Sequence, residues 1–259
     1  MRKITFILAL LVMSVSIQYG YSQKKHAVIS VYTAKMDGED DKTMEALAKF
    51  IDDDKTYLKV IESKLPQLIE KLNSMIAVES SDNFIGESYY KFLLDEYEPA
   101  PENVPFTITG LSTSPNEDLV LKTDYRMSEH QVMTVGDYLA IGTGRPFNND
   151  DATKLLIDKL SSIDGFIILE FSPSLSFSGS EWGVGNSGAS FSLRTKIVNR
   201  KNKVMFKNTI NAGSTGVKFE VKGTEQPDMA QVRTSFEKSF DNLIGKLDKM
   251  SKKLAKMKY

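Results

Sequence analysis

The sequence predicts an α+β fold: a mixed, largely antiparallel sheet with a C-terminal three-stranded meander, packed by helices, with a helical insertion and a long C-terminal helix. Three observations carry this expectation. Residues 166–171 (Phe-Ile-Ile-Leu-Glu-Phe) are apolar on both faces apart from Glu170, as in a strand buried on both sides. Two alternating segments follow, Ala189, Phe191, Leu193 and Ile197, then Val204, Phe206 and Ile210. They flank Asn199-Arg200-Lys201-Asn202, whose asparagines suit a turn. Finally, Val232, Phe236, Phe240, Leu243, Leu247, Met250, Leu254 and Met257 alternate at spacings of three and four, which predicts one helix over about 228–257.

Taken in order, the chain opens with Met1-Arg2-Lys3, an apolar run over 4–15, and a small, polar exit through Ser16, Gly20, Ser22 and Gln23. A basic start, a short apolar core and a small-residue exit describe a secretory signal peptide. A membrane-spanning anchor needs about 20 apolar residues, more than this run supplies. Cleavage is expected after Ser22, leaving 23–259 as one domain with a helical insertion at about 42–98. The expected location is the periplasm first and the extracellular medium second. With no cysteine, the chain offers neither a lipid attachment thiol nor a disulfide. Removing Arg2 and Lys3 lowers Lys+Arg from 33 to 31 against 34 Asp+Glu. A balance slightly on the acidic side gives no footprint for nucleic acid.

Residues 27–36 read as a central strand with apolar residues on both faces. The acidic run Asp37-Gly38-Glu39-Asp40-Asp41 lacks the EF-hand spacing, since Lys42 stands where the loop needs glycine; it reads as a turn before a helix. Leu58, Ile61, Leu65, Leu68, Leu72 and Met75 then form a helical stripe. With a break at Asp52-Asp53-Asp54, two helices are predicted, 42–52 and 55–77, the second kinked at Pro66. An aromatic helix is expected at 84–97, a strand at 104–109 and a helix at 150–162, with 114–148 giving no clear pattern. Residues 178–188 read as a flexible glycine-rich loop with Trp182 at its tip. Val217, Phe219 and Val221 suit an added strand, and Gln226-Pro227-Asp228 starts the last helix.

Motifs that would carry chemistry are weak. Gly183-Val184-Gly185-Asn186-Ser187-Gly188 matches the dinucleotide fingerprint in letters, but Ala189 to Leu193 alternates like a strand where that motif needs a helix. His26 and His130 are the chain's two histidines, too few for a zinc site without thiols, and neither stands in a hydrolase motif. No catalytic, cofactor-binding or metal-binding residue is assigned, and no cofactor is expected. Glu170 interrupts a buried run, so it needs a partner, Arg145 or Arg194; the reading is a buried ion pair, Glu170 with Arg194. Trp182, Lys252, Lys253 and Lys256 are candidate partner contacts, the lysines on a basic amphipathic end suited to an anionic membrane surface.

The order strand, helices, strand, helix, meander and terminal helix resembles small periplasmic accessory domains, those of the curli-secretion lipoprotein and the TolB N-terminal domain. Residues 27–34, 153–169 and 196–206 carry the resemblance. The Tyr-Ser-Gln leader exit resembles those of Bacteroidetes-type bacteria. Two departures stand out, the missing lipidated cysteine and the large segment at 42–98. The resemblance implies a non-enzymatic envelope accessory or protein-binding role. The alternative is an exported carrier of a small apolar ligand, suggested by the aromatic 84–97 segment. A carboxylate-based hydrolase is third.

Overall fold

The structure, a computed structural model, describes residues 24–36, 42–78, 118–123, 128–136, 138, 160–179, 184–201 and 203–257; within 118–134 only Met133 is described beyond its backbone. The elements are β1 (His26–Ala34), α1 (Lys42–Asp54), α2 (Thr56–Asn73), β2 (Asp118–Thr123), β3 (Ser128–Thr134), β4 (Gly165–Gly179), β5 (Val184–Asn199), β6 (Val204–Gly213), β7 (Phe219–Lys222), α3 (Met229–Lys246) and α4 (Asp248–Leu254). The leader, Trp182, Arg145, the 84–97 helix and the 104–109 strand lie outside the described residues. Of the helix expected at 150–162, residues 160–162 are described, and they form a turn rather than a helix.

The sheet is mixed, in the order β2-β3-β1-β4-β5-β6, with β7 on β5 beside β6. β1 runs parallel to β4, and the other pairings between these strands are antiparallel. The meander is β4-β5-β6. β1 is central, as its two-sided apolar sequence requires, and eight of its nine residues are buried. His26 anchors its start: the backbone N–H and ring Nδ1 both reach the Ala77 carbonyl at 2.9 Å. Gly165 lies opposite, where a Cβ would sit 2.6 Å from the His26 ring, so glycine is what lets the two strands approach.

The helices cover one face of the sheet. α3 begins on Asp228, whose carboxylate accepts the Ala230 N–H at 3.0 Å, satisfying one of the free donors of the first turn. It lies on β5 and β6 through an aromatic cluster: Phe171 stacks on Phe240 at 5.6 Å, and Phe191 meets Phe236 at 5.2 Å. α2 runs beside α3 in the same direction. Lys64 pairs with Asp241 and Lys71 with Asp248, both steps of seven residues, which is the repeat of helices lying nearly along each other. The two apolar stripes join one core with the sheet.

Several expectations are corrected. The terminal helix is divided at Leu247, two residues after Gly245, where the Leu247 and Met250 N–H groups bond three residues back, to Ile244 and Leu247. The stripe survives the bend, with Leu247, Met250 and Leu254 buried. α1 continues to Asp54, and the break falls on Lys55, a non-glycine residue with φ of 53°; Asp52 accepts the Tyr57 hydroxyl instead of capping α2. α2 runs from Thr56 to Asn73 with Pro66 inside it, shorter than the 55–77 expected. The region without clear pattern contains the β2-β3 hairpin, and the glycine-rich loop is mostly strand: β4 and β5 pair as far as Gly179 and Gly185. A Cβ on Gly185 would lie 2.4 Å from the Gly179 Cα, so these glycines permit close strand approach rather than looseness. Val204 is exposed because the register shifts between Ile197 and Val198. Among the described residues no helix is long and apolar enough to cross a membrane.

Candidate functional site

The second face of the sheet changes character along β4. Phe166 and Ile168 are fully buried on it; beyond them, Ser174, Ser176 and Ser178 are exposed. The cause is visible in the register. β1 pairs with β4 only as far as Phe171, so the last eight residues of β4 run past β1. Pro173 sits in that overhang, where its missing N–H costs no ladder bond to β1. Its sequence, Phe171-Ser172-Pro173-Ser174-Leu175-Ser176-Phe177-Ser178, alternates strictly: Phe171, Pro173, Leu175 and Phe177 face the helices, and the serines face away.

β5 and β6 continue the pattern in register. Ser172 lies opposite Ser192, Ser174 opposite Ser190, and Ser178 opposite Asn186. Asn211 lies opposite Ser192, and Thr209 opposite Arg194. The result is a grid of hydroxyl and amide groups on one pleated face, with no helix over it among the described residues. Ser174 and Ser190 hydroxyls bond each other at 2.6 Å, and Ser176 donates to the Gly188 carbonyl at 3.2 Å.

Two ion pairs border the grid. Arg194 Nη1 lies 3.1 Å from Glu170 Oε2, as a directly opposed cross-strand pair. The Glu170 side chain is 15% exposed and that of Arg194 43%, so the pair is half-buried rather than buried: a carboxylate against the sheet, capped by a guanidinium at the surface. Lys222 and Glu220 form the second pair at 3.1 Å on β7, with both side chains well exposed.

Of the other candidate contacts, Lys252, Lys253 and Lys256 are all exposed at the C-terminal end, and Lys253 Nζ donates to Asn208 Oδ1 on β6 at 2.8 Å. His26 is at the far end of β4 from the serines, opposite Gly165. Burial holds its pKa below the ordinary imidazole value, against the Ala77 carbonyl and the nearby Asp164 charge. The His130 backbone is on β3, paired with Leu121. The grid thus presents many hydrogen-bonding groups and fixed charges, an arrangement suited to binding. A serine nucleophile would need a base within hydrogen-bond reach, and the described neighbour of Ser174 is another serine.

The serine alternation was present in the sequence, at period two. Pro173 and the neighbouring glycines obscured it, because both residue types ordinarily mark loops. Neither protein-family models nor curated proteins give a match to this chain.

Proposed function

We propose that this chain is an exported, non-enzymatic envelope protein that binds a protein partner through the open face of β4, β5 and β6. The observation that carries this reading is the hydroxyl and amide grid itself, a polar sheet face that no described helix covers, where the opposite face is packed by α3. Such a surface bonds a polar partner directly and through bridging water, without needing a large apolar patch. The Glu170–Arg194 and Glu220–Lys222 pairs at its border supply charges that set orientation. The leader of residues 1–22 motivates export. In this reading the exposed Lys252 and Lys256 add a salt-screened peripheral contact with anionic lipid.

A photo-crosslinking residue placed at Ser176 or Thr209, on the open face, should capture a discrete envelope protein in native cells. The same residue at Lys59 or Lys238, on the helical side, should not. Equal capture from both sides, or capture from neither, would overturn the reading. The mass of the recovered chain tests export in the same sample, since retention of residues 1–22 would contradict it.

A further inference from the structure

The apolar seam of α3 has a polar stripe beside it. Ser235, Ser239, Asn242 and Lys246 follow at spacings of four, three and four, so they share one side of the helix. Each ends on the backbone of β5 or β6. Ser235 Oγ accepts the Ala189 N–H at 2.9 Å, and Ser239 Oγ donates to the Ala212 carbonyl at 2.8 Å. Asn242 Nδ2 donates to the Gly213 carbonyl at 2.8 Å, and Lys246 Nζ to the Asn211 carbonyl at 2.7 Å.

The last two carbonyls are on the outer edge of the described sheet. Along an antiparallel strand, alternate residues turn both backbone groups toward the partner and then away. The Ser214 N–H bonds the Ala189 carbonyl, which fixes the phase. Residues 208, 210 and 212 therefore turn toward β5, and 207, 209, 211 and 213 turn outward. β6 ends the path of the sheet among the described residues, so those outward groups meet no further described strand. An uncovered edge of this kind is a template for pairing with another chain.

With the Asn211 and Gly213 carbonyls capped, Lys207 and Thr209 are the outward-facing residues that keep both backbone groups open among the described residues, and the register shift near Val204 ends the run. Roughly three residues are too few for a strand pair, which ordinarily runs about five to six. Without the caps, the run extends over 207–213 and reaches that length. It is also self-complementary: antiparallel pairing of two copies about Ile210 sets Lys207 opposite Gly213 and Thr209 opposite Asn211, with no like charges opposed.

We propose that Asn242 and Lys246 are edge caps that keep a second copy of this chain from pairing with β6. The test is an Asn242→Leu, Lys246→Met double variant, which keeps the aliphatic stems packed and removes the donors. Light scattering on the unmodified protein should give the mass of one chain across the concentration range. The variant should double in mass as concentration rises, with slowed amide exchange at Asn211 and Gly213. Lys252→Ala with Lys256→Ala, which removes more positive charge from the exposed end, should leave the mass unchanged. A double variant that keeps its circular dichroism and stays monomeric overturns the proposal. So does a control that dimerises, an unmodified protein already paired through β6, or a double variant that does not fold, since the two side chains would then be structural rather than protective.

Discussion

Ending the chain after Lys246 is the most informative perturbation of the C-terminal region. It removes Leu247, Met250 and Leu254, of which none is more than 3% exposed. A buried apolar side chain of this size contributes about 1.5–3 kcal/mol through area taken from water, so the three together are worth roughly 5–9 kcal/mol. The Lys71–Asp248 pair goes with them, but its side chains are 32% and 68% exposed and such a pair adds little. Leu68 and Leu72, on the part of α2 that this pair ties to α4, would lose cover as well. Against a total stability of about 5–15 kcal/mol, the truncated chain should be largely unfolded. Met250→Ala is the graded version and should cost about 2–5 kcal/mol. At about 2–4 °C per kcal/mol for a chain of this length, its melting temperature should fall by several degrees or more. Circular dichroism melts and urea titrations read both variants. An unchanged melting temperature in the truncated chain would refute the claim that this end is core, and would leave the tail a purely external contact.

Three further outcomes follow from local geometry. Gly185→Ala puts a Cβ 2.4 Å from the Gly179 Cα and the Ser178 carbonyl, both backbone, so it should cost about 1–3 kcal/mol in urea titration; a neutral result would mean the two strands do not approach so closely. Ser235→Ala strips the Ala189 N–H of its buried acceptor and should cost about 1–3 kcal/mol, against nearly nothing for Thr215→Ala in the exposed turn after β6. Burial lowers the His26 pKa, so between its folded value and about 6.5 the unfolded chain holds the extra proton. That stability is full above about pH 6.5 and is lost as pH falls through the folded value. His26→Asn should flatten this part of the slope, and equal slopes in the two proteins would contradict the assignment. Asp52, whose pKa burial raises against the Tyr57 and Met36 hydrogen bonds, acts in the opposite sense in both proteins.

What the sequence disclosed followed period and length. The meander was legible because Ala189 to Ile197 and Phe206 to Ile210 alternate around an Asn-bounded turn, and the α3 seam because its spacing persists through Leu254. The parallel pairing of β1 with β4 is not local, and no residue pattern states which strand a central strand meets. The β2-β3 hairpin escaped notice because Ser128-Glu129-His130-Gln131 offers no apolar alternation. Glu170 was legible as a residue in need of a partner; that Arg194 supplies it is a matter of register, which the turn at 199–202 sets. The serine grid was written at period two, then obscured by Pro173, whose place in an overhang depends on where β1 stops. The polar stripe of α3 was hidden by its neighbour, since an apolar seam draws the eye from the four residues beside it.

The open face is tested most directly by filling it without touching the core. Ser174→Arg and Thr209→Arg alter two exposed positions of the grid and leave Phe171, Phe191 and Phe240 in place. Complexes recovered after mild crosslinking of the native envelope should lose the partner that the unmodified protein captures, while the melting temperature stays within a degree or so, as expected for surface changes. Recovery of the same partner at the same level by the filled variant would contradict the account.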